Sequence, residues 1–199
     1  MRRVLFLAAL LLGEAAALAC SCAPPQGEAE RRQIARRIAI GAAVIAEVVE
    51  AEPMDWRKGQ GELVRPLRLF VGEPRDGYRL ERGFSRDAKG RALLSATSCD
   101  VHFGKAPAIA VLYPADYKWP EAEALASELA AAEGAADAEC RAARVAVAGE
   151  ALRTRAGSGG YRDAGTCDTI FIAEPENLRM VLDEARRLGR AVHQGPPVR

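Results

Sequence analysis

The sequence has few residues of the types that carry most enzyme chemistry. Its 199 residues include only two histidines, His102 and His193, and only 6% of the residues are aromatic. It has no H-E-x-x-H motif, no G-x-S-x-G motif and no phosphate loop, the usual sequence signals of zinc proteases, serine hydrolases and nucleotide-binding proteins. We therefore expect a protein that is not an enzyme and that holds no cofactor of its own.

An excess of charge of one sign is also missing. The chain has 28 basic and 27 acidic side chains, which gives a formal net charge of +1. Proteins that bind nucleic acid through its phosphates usually concentrate Lys and Arg on one face, and no such concentration is evident here. We expect no nucleic-acid partner.

The strongest hydrophobic run lies at the N-terminus and is short. Residues 4–12 are apolar without interruption and follow Arg2 and Arg3, whereas a membrane-spanning helix needs about 20 apolar residues. Residues 17–19, Ala-Leu-Ala, fit the A-x-A cleavage pattern of a secretory signal peptide. The pattern predicts a signal peptide over residues 1–19 and a secreted or periplasmic protein, a single domain over residues 20–199.

Two alternatives to this reading remain at the same segment. One is a retained N-terminal anchor. The other is an envelope lipoprotein, in which Cys20 is acylated and the protein is attached to a membrane. The usual lipoprotein signal has Leu three residues before the Cys, and here Leu18 lies two residues before Cys20.

Five cysteines remain after the predicted cleavage, and export would place them where disulfides persist. Four can pair and one is left over. Residues 20–22, Cys-Ser-Cys, have neither the usual spacing of a structural zinc site nor the C-x-x-C of a redox site. Asp100 and His102 flank Cys99 closely, but a disulfide-bonded Cys cannot act as a nucleophile.

Hydrophobic patterning predicts about five strands and few helices in the first part of the chain. The residues are β-branched and apolar, and polar turns separate the runs. Gly41 within the first run indicates a bulge or a sharp bend. The predicted strands cover residues 38–49, 62–71, 78–81, 92–98 and 108–113, with a further strand at 161–172.

Two segments have helical spacing instead. An Ala-rich insert at about 118–158 predicts a helix or helical hairpin that is interrupted near Gly134. The last helix has Pro175 in its first turn and ends before Gly189. Its apolar face is formed by Leu178, Val181, Leu182, Ala185 and Leu188.

The mature sequence, which starts Cys20-Ser21-Cys22-Ala23-Pro24, resembles the tissue inhibitors of metalloproteinases and their bacterial relatives in the netrin-module superfamily. Members of that family begin C-[Ser/Thr]-C-x-P directly after the cleavage point. The segment ending in Cys99 precedes a strand with the residues Val-Leu-Tyr at 111–113, which is similar to the bacterial pattern. The resemblance covers residues 20–115 and 160–190, and the Ala-rich insert has no counterpart in it.

The resemblance implies a mainly β fold, a five-stranded OB-type barrel with flanking helices, including the C-terminal helix and the helical insert. It also implies two disulfides, Cys20–Cys99 and Cys22–Cys167. Cys140, in the insert, is then unpaired, and either a solvent-exposed thiol or one buried against neighbouring alanines is compatible with its surroundings.

The resemblance further implies an inhibitor of a zinc metalloprotease. The free amine and the carbonyl of Cys20 would chelate the partner's zinc, because an α-amino group has a pKa of about 8 and is partly neutral at physiological pH. Ser21 would enter the pocket beside the zinc, and the remaining contact residues would widen the interface. These contact residues are Cys22, Ala23, Pro24, Thr97 and Ser98. A netrin-like OB module that binds without inhibiting is the other function that we consider.

The first prediction concerns the mature N-terminus. We expect the exported protein to begin at Cys20 with an unmodified amine, since a modified amine cannot chelate a metal. Intact-mass measurement and N-terminal sequencing of the exported protein check this. An added diacylglyceryl and acyl mass would establish the lipoprotein, and a chain that still begins at Met1 would establish the anchor.

Overall fold

A computed structural model describes residues 22–55, 57–80, 84–86, 92–94, 101, 103–154, 160–163 and 165–193. The helices are α1 (Glu28–Gly41), α2 (Trp119–Ala131), α3 (Ala138–Thr154), α4 (Gly165–Ala173) and α5 (Pro175–Arg187). The strands are β1 (Val44–Glu52), β2 (Leu63–Val71), β3 (Tyr78–Arg79), β4 (Phe84–Arg86), β5 (Ala92–Leu94), β6 (Ala108–Pro114) and β7 (Tyr161–Asp163).

The main sheet is antiparallel throughout and has the strand order β3-β2-β1-β6-β7. Strands β4 and β5 form a separate antiparallel pair. The sheet curls into a half-barrel. Its two edge strands approach one another at one isolated bridge, Leu80 to Tyr161, beside which the rings of Tyr78 and Tyr161 meet edge to face at 5.3 Å.

Both faces of the sheet are buried. Successive residues of a strand point to opposite faces, so Val44 and Ala46 of β1 lie inside the half-barrel while Ile45 faces the helices. Strand β6 repeats the pattern, with Leu112 inside and Val111 outside. Helices α1 to α5 cover the outer face, so apolar residues occupy consecutive strand positions.

The prediction of a mainly β fold built on a five-stranded OB-type barrel is wrong. Antiparallel strands form a half-barrel that packs with five helices, and more of the described residues are helical than extended. Two segments predicted as strands are helical: residues 38–41 end α1, and residues 165–172 of the strand expected at 161–172 lie in α4, while residues 161–163 do form a strand. The end of α1 is enclosed on every side, so its apolar residues form a continuous run without helical periodicity, as in a buried strand.

The predicted role of Gly41 is also wrong. Gly41 is the last residue of α1, where a Cβ atom would lie 2.5 Å from the hydroxyl oxygen of Tyr117. Glycine is therefore needed for close packing of the helix end against a ring, and there is no strand bulge at this position.

The remaining helical predictions are confirmed. The Ala-rich insert forms α2 and α3, and the chain reverses between them where Gly134 has a φ of 77°. The C-terminal helix α5 buries Val181 and Ala185. Among the described residues, no helix combines the length and the apolar content that crossing a membrane requires.

The second prediction distinguishes helix α4 from the strand expected there. In a strand Ile170 and Ile172 would share a face, but in α4 the exposed fraction is 0% for Ile172 and 56% for Ile170. We expect Ile172→Ala to lower the free energy of unfolding by about 2–5 kcal/mol, as large-to-small core substitutions do. The matched control Ile170→Ala should change it by less than about 0.5 kcal/mol.

Urea unfolding of the two variants beside the wild type measures both values. Equal losses at the two positions would contradict the helical assignment of this segment.

Candidate functional site

The N-terminal segment before α1 is held by a disulfide between Cys22 and Cys167, whose Cα atoms lie 5.2 Å apart. The bond joins residues separated by 145 positions and ties the start of the described chain to α4. The predicted pairing of these two cysteines is therefore confirmed. Ala23 and Pro24, which follow Cys22, are exposed to solvent.

The other predicted site residues lie outside the described part of the chain. These are Cys20, Ser21, Thr97 and Ser98, together with Cys99, the predicted disulfide partner of Cys20. The second pairing, and the meeting of residues 20–21 with residues 97–98, therefore stay predictions.

A buried ion pair holds α4, the helix that carries Cys167, against α1. Asp168, the next residue, accepts two hydrogen bonds from the guanidinium of Arg37 on α1, at 2.9 and 3.2 Å. The Tyr113 hydroxyl on β6 donates a third, at 2.9 Å, to the same carboxylate. The Asp168 carboxylate thus connects α4 with α1 and with the sheet, one residue from the disulfide.

The surroundings keep Tyr113 and Arg37 in fixed protonation states. Burial, together with the Asp168 charge, raises the pKa of Tyr113 well above its usual value, so the phenol remains a donor. Burial lowers the pKa of Arg37, but the charge and hydrogen bonds of Asp168 more than offset this, and the net pKa is raised. The Arg37 guanidinium also lies 3.6 Å from the ring centroid of Trp119 and 3.2 Å from a Glu123 oxygen.

A second set of polar contacts holds the far end of α4. The buried Asn177 of α5 donates to the carbonyl of Phe171 at 2.9 Å. Its own side-chain oxygen accepts two hydrogen bonds from Arg31 of α1, at 2.9 and 2.7 Å. Helix α4 is therefore connected to α1 through Asp168 and through Asn177, and the disulfide is attached to a helix that is held at two places.

Sequence reasoning missed Ile170. It lies three residues after Cys167 on α4, so the two side chains share a face of the helix, and both are exposed. Ile170 is a large apolar side chain that is 56% exposed on the same helix as the disulfide. The segment was expected to be a strand, and a strand places Ile170 on the face opposite Cys167.

Cys140 is a free, exposed cysteine on α3, as predicted for the leftover cysteine, and the exposed alternative is the one observed. Within the described ranges, no group of three or more His, Cys, Asp and Glu side chains is placed to hold a metal ion.

The third prediction tests the support beneath the disulfide. Asp168→Asn removes the buried counter-ion of Arg37 and leaves only the half-exposed Glu123 carboxylate, so we expect the free energy of unfolding to fall by about 3 kcal/mol, the lower end of the range for breaking a buried pair. Asp183→Asn is the matched control: it removes the same charge from an exposed pair with Arg186 and should cost less than about 0.5 kcal/mol. Urea unfolding of both variants gives the comparison, and similar effects would show that the buried pair is not a structural constraint.

We compared the chain with protein-family models, with curated proteins and with solved structures, and none matches it. The functional conclusion therefore rests on the residues and on their geometry.

Proposed function

We propose that this protein, cleaved before Cys20, is a secreted or periplasmic inhibitor of a zinc metalloprotease. The observation that carries the proposal is the Cys22–Cys167 disulfide on its buried ionic support. It fixes the chain two residues from Cys20, and it is one of the two pairings that the family resemblance implied.

The chemistry requires a free α-amino group at Cys20. The amine and the carbonyl of one residue form a five-membered chelate ring with a metal ion. A catalytic zinc holds three protein ligands and leaves a position open for water. The Cys20 amine and carbonyl would take that position, so the partner enzyme would lose the zinc-bound water that acts as its nucleophile.

Rigidity makes such a small contact effective. Ordering a mobile segment on binding opposes association, and a segment that is already fixed avoids that loss. Cys22 is held covalently to α4, and α4 is held by Asp168 and Asn177. The chain is therefore anchored at Cys22 before any partner arrives.

The exposed apolar residues beside the disulfide would supply the rest of the contact. Ala23, Pro24 and Ile170 are exposed on the part of the surface that the disulfide organises. Ser21 would enter the pocket next to the zinc, and Thr97 and Ser98 would extend the interface if the Cys20–Cys99 bond forms. No side chain of this protein reacts in this mechanism, and the zinc belongs to the partner.

A second candidate function is a binding module without inhibitory activity. A large cleft on another part of the molecule, lined by Arg190 and Val147, favours it. Binding in this cleft is compatible with inhibition through Cys20, whereas a module without inhibitory activity is the alternative to it. A lipoprotein with an acylated Cys20 amine does exclude inhibition by chelation.

The fourth prediction concerns an added residue. Placing one Ala before Cys20 turns the amine into an amide, which is a poor metal ligand, while Cys22 keeps its disulfide. Loss of a residue that only supports a metal ligand weakens a metal site by about 10–100-fold. Here the ligand itself is lost, so we expect inhibition of a susceptible zinc metalloprotease to weaken by more than that. The unfolding midpoint should not change. Inhibition constants against a panel of zinc metalloproteases, measured with and without the added Ala, provide the test.

Two further measurements use the same assay. Inhibition by the unextended protein should weaken about tenfold per pH unit below the amine pKa of about 8, because protonation competes with zinc. Ile170→Asp should weaken inhibition without changing stability. Equal inhibition by the extended and unextended forms would rule out chelation, and no inhibition by either form would favour the binding module.

A further inference from the structure

A cleft of about 840 Å³ opens at one end of the half-barrel, and nothing in the proposed inhibitory mechanism uses it. Its volume falls within the range of about 300–1,000 Å³ that is typical of small-molecule sites. Helix α3 forms one wall, and the segment that follows α5 forms another. The ends of β2 and β6 and the starts of β1 and β7 complete the lining.

Two arginines in the cleft converge on the C-terminal end of α1. Arg190 donates to the carbonyls of Ala39 at 2.6 Å and Ala42 at 2.7 Å, and Arg153 donates to the carbonyl of Ile40 at 2.5 Å. The last carbonyls of a helix carry a partial negative charge, which favours cations there. The helix end therefore brings two guanidinium groups together in a partly buried place.

The two arginines differ in how their charge is balanced. Arg153 pairs with Glu150, with 2.6 Å between nitrogen and oxygen. No carboxylate of the described residues lies within salt-bridge distance of Arg190. Burial and then repulsion from Arg153 lower the pKa of Arg190 to about 9, so the helix-end carbonyls only partly balance its charge. Two of its five N–H donors serve the α1 carbonyls, which leaves three for a ligand.

The lining has the charge of a site for one negative group. It contains three arginines, Arg75, Arg153 and Arg190, and two glutamates, Glu73 and Glu150, which gives a net charge of +1. A single carboxylate balances this charge, whereas a doubly charged phosphate would exceed it. The planar fork of an arginine also matches the geometry of a carboxylate.

The cleft also has an apolar wall. Val147 of α3 is 72% exposed, and it lines the cleft together with Val44, Val71 and Leu188. A single exposed valine on a helix is ordinary. Val147, however, lines the same cleft as Arg190, so the cleft offers an apolar surface and a cation to one ligand.

We propose that this cleft binds a small carboxylate that carries an apolar group, with the carboxylate on Arg190 and the apolar group against Val147. The carboxylate belongs either to a free aliphatic acid or to the C-terminus of an apolar peptide. In both cases the same atoms of the cleft are used.

Isothermal titration calorimetry of the purified chain tests the proposal with chemically defined probes. The probes are decanoate, acetate, and a trileucine peptide with either a free or an amidated C-terminus. We expect decanoate or the free peptide to bind, and acetate and the amidated peptide to bind at least about tenfold more weakly, because each lacks one half of the recognition. Which of the first two binds identifies the source of the carboxylate.

Two substitutions assign the binding to this cleft. Arg190→Met keeps an unbranched stem and should weaken binding at least about tenfold. Because Arg190 also caps α1, Val147→Glu provides an independent test at an exposed position that folding does not depend on, and it should weaken binding by a similar factor. Arg179→Met, on an exposed part of α5, is the matched control and should have no effect.

Failure of both decanoate and the free peptide to bind would overturn the proposal. Binding that neither Arg190→Met nor Val147→Glu weakens would also overturn it. Neither result affects the inhibitory function, since that assay depends on the Cys20 amine and not on this cleft.

Discussion

The contact between Arg37 and Asp168 is the constraint on which most of the described structure depends. Both side chains are buried, and removing two charges from water is unfavourable unless their geometry is good and their remaining hydrogen-bonding groups are satisfied. Here the pair is bidentate, Tyr113 donates to the same carboxylate, and Trp119 and Glu123 cover the guanidinium. The pair therefore fixes one arrangement of α1, α4 and β6, because any other arrangement leaves a buried charge without a partner.

The placement of the disulfide follows from that arrangement. Cys167 precedes Asp168, so the ion pair determines where Cys167 lies and hence where Cys22 is held. Each interaction constrains a different state. The disulfide limits the freedom of the unfolded chain, while the ion pair selects one packing in the folded chain. Together they bring the N-terminal segment to a defined position on a surface with an exposed Ile170.

In the cleft, the C-terminal end of α1 positions the charged side chains. A helix that ends in a buried position leaves carbonyl groups without hydrogen-bond partners, and these must be satisfied. Arg153 and Arg190 supply the donors, and in doing so they place two partly buried positive charges in the lining of the cleft. The same helix thus carries Arg37 for the disulfide support and positions at its C-terminal end the arginines of the proposed carboxylate site.

Local signals were enough to predict several elements from the sequence. Helix α5, the helical hairpin broken at Gly134 and the strands near residues 62–71 and 108–113 follow from periodicity and from residues that end helices. The Cys22–Cys167 pairing was implied by the family resemblance.

Tertiary structure decided the rest. Residues 38–41 are helical although their pattern favours a strand, since burial on all sides removes the periodicity that distinguishes the two. Residues 165–172 are helical as well, and there contacts with α1 and β6 fix the helix in a way that a local pattern does not show. The pairing of Arg37 with Asp168 and the position of Arg190 depend on contacts between residues more than a hundred positions apart. The exposure of Ile170 depends on which face of α4 meets solvent. A local sequence pattern encodes neither.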